Sequence, residues 1–295
     1  MSCNQSIDIS PADGHDERMN ILAIHDLSAF GHTSLMAAIP IFYALGIPLY
    51  VLPSSILSAN TDYPGYHLHD FSPQWPGFIE HWKDLKLCFN GLYTGFLGNP
   101  GQASMICEGI SSRLDPEALV LVDPVLGDSG HLYSCYDASM VLAMRQLCEM
   151  ATLITPNLTE AAFLCGFDPQ AETVAEQWQS MAKLLCTGKL KHVVITSIPS
   201  DDPGLVAVGY YDSSADQYMV FQNEYVPSSF PGTGDCFSSF LMAFLLKGYS
   251  IRQAIPAVMA IIRDLIKLSL KYPQDPRLGL ALHHLSDIDP LSYLS

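Results

Sequence analysis

The sequence is poor in charge, and poorest in positive charge. Charged residues make up only 15% of the chain, and 14 Lys and Arg stand against 30 Asp and Glu, for a formal net charge of −16. No short window gathers four basic residues, so the chain lacks the basic stripe that nucleic acid or an anionic membrane surface would need. Neither is expected as a partner. A nucleotide is not excluded, because Mg²⁺ and backbone N–H groups can handle phosphate locally. The eight cysteines (Cys3, Cys88, Cys107, Cys135, Cys148, Cys165, Cys186 and Cys236) contain no C-x-x-C pair and read as reduced thiols in a cytoplasmic protein. There is no G-x-x-x-x-G-K-[ST] loop and no G-x-G-x-x-G, which sets aside the P-loop and dinucleotide-fingerprint proteins. No repeat, low-complexity stretch or mid-chain linker interrupts the pattern. Residues 1–18 have neither a basic n-region nor an apolar run; they read as a disordered tail rather than a signal peptide. The uncharged run Leu35–Leu52 matches a membrane span in length, but Pro40, Gly46 and Pro48 recast it as a helix, a turn and a strand.

What the chain does have is apolar material, 49% of its residues. A chain of this length buries roughly three-quarters of its unfolded surface. Short apolar runs predict strands at Ile21–His25, Leu49–Leu52, Leu87–Tyr93, Leu119–Val122, Thr152–Thr155 and His192–Thr196. A hairpin is predicted from Leu205–Tyr211 and Gln217–Phe221 around the polar turn Asp212–Asp216. Helical spacing occupies 33–46, 75–85, 99–113, 137–150, 157–166, 171–187, 234–247 and 251–271. Strands alternating with helices imply an α/β fold: a mostly parallel sheet with helices on both faces. The late hairpin adds an antiparallel piece at one edge, and residues 19–295 read as a single domain.

The densest chemistry lies in Phe230-Pro231-Gly232-Thr233-Gly234-Asp235-Cys236, which leads into an apolar helix. The glycines let backbone N–H groups approach an anion, and a helix N-terminus favours negative charge there. Asp235, in the first helical turn, is placed to take a proton from an attacking hydroxyl; the plainer reading is a helix-capping Asp. Three further segments put polar groups after strands: Asp123-Pro124-Val125-Leu126-Gly127-Asp128, Thr155-Pro156-Asn157-Leu158-Thr159-Glu160, and Thr196-Ser197. In open α/β sheets the ligand crevice lies beyond the carboxyl ends of the strands, so these segments can converge with the Gly-Thr-Gly-Asp turn. Asn157 and Glu160 share one face of a helix start. That suits a hydrated Mg²⁺, or simply a capping box. Asp123 could equally be a turn residue before Pro124.

In this order, D-P-V-x-G-D, T-P-N-x-x-E and G-T-G-D before an apolar helix, the chain resembles the ribokinase-like kinases. The opening I-L-A-I-H-D-L-S-A-F-G-H, then L-S-A-N-T-D-Y and T-G-F-L-G, resemble the pyridoxal/pyridoxamine kinase branch, over about Asn20 to Lys271. The resemblance implies ATP-dependent phosphorylation of the 5′-hydroxymethyl group of a B6 vitamer. It implies Asp235 as the base and Gly232, Thr233 and Gly234 as an anion hole. Asp123, Asn157 and Glu160 would serve Mg²⁺, and Asp123, Asp128, Thr155, Asn157, Glu160 and Thr196 would serve ATP. Asp26, Thr61, Phe96 and Asp235 would meet the substrate, and the loop Leu126–Tyr133 would fold over the nucleotide. A monovalent cation (K⁺) and a homodimer are further expectations of the resemblance.

One departure bears on specificity: many pyridoxal kinases carry Gln-Ser where this chain has His25-Asp26. Asp26 is the stronger acceptor and leans the expectation toward pyridoxamine; alternatively it ends its strand and faces water. Cys236 reads as a small residue packed in a helical turn. The alternatives to a B6 kinase are a hydroxymethylpyrimidine (phosphate) kinase and a non-catalytic B6-binding protein.

Overall fold

A computed structural model of the chain describes residues 19–272 and 274–294; the tail at 1–18 lies outside the described residues. The described residues form eleven strands and eight α-helices, and the eight predicted strands and eight predicted helices appear among them in the predicted order. The strands are β1 (Ile21–Ser28), β2 (Leu49–Leu57), β3 (Leu68–Asp70), β4 (Phe89–Thr94), β5 (Leu114–Val122), β6 (Gly127–Asp128), β7 (His131–Leu132), β8 (Leu153–Ile154), β9 (His192–Ile198), β10 (Leu205–Asp212) and β11 (Gln217–Glu224). The helices are α1 (Leu35–Ala44), α2 (Trp75–Asp84), α3 (Gly101–Met105), α4 (Ala138–Met150), α5 (Leu158–Cys165), α6 (Trp178–Leu185), α7 (Thr233–Leu246) and α8 (Ile251–Ser269).

Nine strands form one sheet in the order β11-β10-β9-β8-β5-β4-β1-β2-β3. The strands from β2 to β9 pair in parallel, and β3, β10 and β11 are antiparallel additions at the two edges. The sheet order reverses direction between β1 and β4: β2 lies on one side of β1, while β4, β5, β8 and β9 run off on the other. Such a switch point opens a crevice at the strands' carboxyl ends.

The two-residue alternation of side chains sorts each strand between two cores. Ile21, Ala23, Tyr93, Leu121 and Val194 pack with α1, α7 and α8, whereas Leu22, Ile24, Leu92, Val122 and Ile195 pack with the helices of the other face. Helix α7 is apolar almost all round, and every residue from Asp235 to Phe244 is buried, the signature of a core helix. Phe240 and Phe244 are wholly enclosed, each worth about 1.5–3 kcal/mol of burial.

Some expectations shift in detail. The stretch at 99–113 is helical but changes pitch: α3 passes into a π turn at Ile106–Ile110 and a 3₁₀ turn at Ser111–Arg113. Residues Glu172–Gln177 form 3₁₀ turns before α6. Strand β8 is only two residues long, where four were predicted. Strand β1 runs three residues past His25, so Asp26 lies inside the strand and is 3% exposed rather than facing water. Strand β3 and the β6–β7 hairpin were not expected. The uncharged run at 35–52 is the predicted helix, turn and strand, with Gly46 at φ +70°, and among the described residues no helix is long and apolar enough to cross a membrane.

Candidate active site

A cleft of about 530 Å³ opens at the carboxyl ends of the parallel strands. Every residue anticipated from the sequence lines it: Asp26, Thr61 and Phe96 at one end; Asp123, Thr155, Asn157, Glu160, Asp128 and Thr196 along its wall; and Gly232, Thr233, Gly234 and Asp235 at its floor. Adjacent strand ends hold these segments together. Gly95 N–H donates to Ile24 O at 3.0 Å, Asp123 N–H to Thr94 O at 2.8 Å, Thr155 N–H to Val122 O at 3.1 Å and Thr196 N–H to Pro156 O at 2.9 Å.

The Gly232-Thr233-Gly234 turn opens the N-terminus of α7 toward the cleft. Gly232 sits at φ +80°, and a Cβ there would lie 2.8 Å from His32 O, so glycine is required twice over. A Cβ on Gly234 would meet no protein atom within 4 Å; its backbone faces open cleft. The first N–H groups of α7 have no intrahelical acceptors and point where an anion would sit.

Asp235 is gripped from two sides. Its Oδ2 accepts the Ser34 N–H at 2.7 Å, and its Oδ1 lies 3.0 Å from His25 Nε2. Ser34 holds φ +57° and ψ −126°, a strained conformation for a side-chain-bearing residue of the kind that persists at functional sites. Burial raises the Asp235 pKa, but the His25 ring and the Ser34 N–H outweigh it and leave it below the ordinary carboxylate range. Asp235 is therefore ionised. His25 was noted in the sequence only as a departure beside Asp26 and given no role of its own. The alternation of β1 gives the signal in hindsight: positions 21, 23 and 25 face α7, the helix that carries Asp235.

His25 itself is contested. Burial lowers its pKa, while the charges of Asp235 and Asp26 and their hydrogen bonds outweigh burial and draw it up to about 10. The backbone pulls the other way. The N–H groups of Asp26 and Phe96 both donate to Nδ1 at 3.1 Å, which requires that nitrogen to be unprotonated. Asp26 completes this end: its Oδ2 accepts the Ser28 hydroxyl at 3.0 Å. Phe96 stacks on Tyr136, with centroids 5.3 Å apart.

Asp123 ends a relay of hydroxyls, with Thr155 Oγ1 2.8 Å from Ser238 Oγ and Ser238 donating to Asp123 Oδ2 at 3.0 Å. Burial, then repulsion from Asp235, pushes its pKa up to about 7. Burial and the Asp123 charge likewise raise Glu160 well above the carboxylate range. Asn157 and Glu160 form a full capping box on α5 and also fasten the loop above it: Glu160 Oε1 accepts from Leu126 N–H at 3.0 Å, and Asn157 Nδ2 donates to Gly127 O at 2.8 Å. The capping reading of this pair is met, and the Asn157 amide is engaged at both ends. The loop folds into the β6–β7 hairpin beside the cleft, with Gly130 N–H tied to Thr159 Oγ1 at 3.0 Å.

The carboxylates of Asp26, Asp62, Asp123, Asp128, Glu160, Glu224 and Asp235 line the cleft, and Arg263 is the one Lys or Arg among the described residues around it. Arg263 is already engaged with Asp264 and Asn223. Polyphosphate would meet mostly negative charge here, which a divalent cation could offset, although among the described residues no three His, Cys, Asp or Glu side chains are grouped to hold one by themselves. An apolar slot continues the cleft between Val206, Val208, Phe230, Met259, Ile262 and Ile266. The sequence reading missed it, although alternate residues of β10 and one face of α8 compose it.

A buried carboxylate held at a helix N-terminus, a glycine turn beside it and an acidic wall, set at the switch point of a doubly wound sheet, are the arrangement expected of a small-molecule phosphotransferase. Comparison with known proteins agrees. Residues 84–276 match the phosphomethylpyrimidine kinase family. A pyridoxine/pyridoxal/pyridoxamine kinase of Bordetella avium is 28% identical over 83% of this chain and 84% of its own length. A Bacteroides thetaiotaomicron protein described as a phosphomethylpyrimidine kinase, solved with pyridoxal, superposes with a TM-score of 0.85 at 36% identity, covering 91% of this chain and 96% of its own. The pyridoxal kinase of Lactobacillus plantarum superposes with a TM-score of 0.81 at 28% identity, covering 94% and 97%. The chain belongs to the phosphomethylpyrimidine kinase family, on the pyridoxal kinase branch of the ribokinase-like enzymes, and is a kinase with an alcohol group as acceptor.

Proposed function

We propose that the enzyme transfers the γ-phosphoryl group of ATP to the 5′-hydroxymethyl group of a B6 vitamer, with pyridoxamine preferred, and so returns vitamers to the 5′-phosphate pool. The observation that carries this reading is Asp235, ionised and oriented at the mouth of the Gly232–Gly234 cradle. Asp235 accepts the hydroxyl proton as the alcohol oxygen attacks phosphorus. The N–H groups of the cradle take up the charge of the transferred phosphoryl group. Asp123 and Glu160, with Asn157 through water, would hold Mg²⁺, which neutralises phosphate charge when bound. The apolar slot of Val206, Val208 and Ile262 suits the adenine. The β6–β7 hairpin covers the phosphates and limits hydrolysis by water. Relatives named for all three vitamers, and one solved with pyridoxal, support the choice of substrate. The preference for pyridoxamine rests on Asp26, a buried carboxylate at the ring end of the cleft.

The family name also favours the pyrimidine reading, because hydroxymethylpyrimidine is a flat heterocycle bearing the same CH₂OH group. ADP release with Mg-ATP against pyridoxal, pyridoxamine, pyridoxine and hydroxymethylpyrimidine separates the two. Turnover led by pyridoxamine is expected; turnover confined to the pyrimidine would overturn the B6 assignment.

A further inference from the structure

His25 occupies a position built to hold it. Its ring is buried and meets Tyr93 edge-on, with centroids 5.9 Å apart. On the neighbouring strand end Gly95 makes the room: a Cβ there would fall 1.9 Å from His25 Nε2. The ring's two nitrogens face unlike partners. Nδ1 receives the N–H groups of Asp26 and Phe96, and a ring proton there would point at both donors. Nε2 faces Asp235 Oδ1 at 3.0 Å. Asp26 Oδ1 also lies 3.2 Å from Nδ1, but the nitrogen's lone pair is already taken by the two backbone donors. The single arrangement that satisfies every backbone group carries the proton on Nε2.

We propose that His25 is a positioning residue for Asp235: held as the neutral Nε2–H tautomer by two backbone N–H groups, it donates to Asp235 Oδ1 and, opposite the Ser34 N–H, fixes the orientation of that carboxylate toward the cleft. This rests on Asp235 as the base. A neutral ring gives up the charge that would help lower the Asp235 pKa but keeps the two hydrogen bonds, from Nε2–H and from the Ser34 N–H, that favour the ionised form. It also leaves the Asp26 charge without a ring proton, turned to the cleft and available to a cationic group of the substrate.

The test compares kcat and KM, for ATP and for the vitamer, in wild type, His25→Leu, His25→Gln, Asp235→Asn and the double variant His25→Leu/Asp235→Asn. His25→Leu is expected to lower kcat about 10- to 100-fold, the scale of a misplaced catalytic group, with both KM values nearly unchanged. His25→Gln, whose amide can donate to Asp235 and accept from the backbone, is expected to recover most of that loss. In the Asp235→Asn background His25→Leu is expected to lower residual turnover no further. A wild-type kcat in His25→Leu, a loss confined to KM, or multiplicative losses in the double variant would each overturn the proposal. Asp235→Asn with near-normal turnover would remove the base reading itself. Should His25→Leu fail to fold, ¹⁵N NMR of the wild-type ring at neutral pH decides: a neutral Nε2–H tautomer is expected, and an imidazolium overturns the proposal.

Discussion

At the scale of single residues, two side chains next to each other on β1 do different work because a strand alternates its faces. His25 turns to α7 and reaches Asp235; Asp26 turns toward Phe96 and Ser28. An ammonium group placed against a buried carboxylate gains a charge-assisted hydrogen bond, worth about 1.5–3 kcal/mol. Asp26→Ser is therefore expected to reduce kcat/KM for pyridoxamine about 10- to 100-fold relative to that for pyridoxine, measured by ADP release with each vitamer. An unchanged ratio would show that Asp26 does not read the substrate amine. Cys236 follows Asp235 but is wholly buried, and its thiol is pushed far up by burial and by Asp235; it is packing, as its small size suggested.

At the scale of elements, the N-terminus of α5 ties helix stability to the loop beside the cleft. Asn157 caps the helix through Oδ1, which accepts from Glu160 N–H at 2.9 Å, and holds the loop before the β6–β7 hairpin through Nδ2 on Gly127 O. These roles separate by substitution. Asn157→Ala loses both and is expected to cost about 1 kcal/mol of stability, the usual value of an N-cap, together with activity. Asn157→Ser keeps a capping oxygen but cannot donate to Gly127 O. It is expected to restore thermal stability and leave kcat/KM for ATP depressed. Full recovery of activity in the Ser variant would reduce Asn157 to a cap. Residue spacing alone could not choose between a cap and a metal site for this pair, since the same i, i+3 geometry serves both.

At the scale of the whole molecule, the acidic cleft sets how stability responds to pH. Burial and then Asp235 raise the Asp123 pKa to about 7, and Glu160 rises well above its ordinary value. A carboxyl whose pKa is higher folded than unfolded binds more protons in the native state, so the Asp123 share of stability is lost as pH climbs from about 4 to about 7, and the Glu160 share is lost as pH climbs through its own raised value. Asp235, with a lowered pKa, acts oppositely, but its contribution is lost only below the usual carboxylate range. Thermal melts of the metal-free protein from about pH 5 to 8 are thus expected to show a declining Tm. Asp123→Asn should flatten part of the decline while lowering activity, and Mg²⁺ should raise Tm more at the alkaline end. A flat wild-type profile would mean that the acidic wall is already compensated.

Much of this protein is legible in one dimension. Apolar runs alternating with helical spacing determined a parallel sheet with covered faces, because a strand buried on both sides has no room for polar residues. The Gly-Thr-Gly-Asp turn before α7 and the polar strand ends marked the cleft, because glycine torsions and helix N-termini are local matters. What only the tertiary structure decided are the relations between distant segments. His25 is 210 residues from Asp235 in the chain and 3.0 Å from it in space, and Gly95 is needed because an imidazole from another strand occupies the place of its side chain. The apolar slot takes Val208 from β10 and Ile262 from α8, neither distinguishable in sequence from core. Local propensity acts along the chain, whereas the partners of a buried polar group are set by which strand ends the sheet brings side by side.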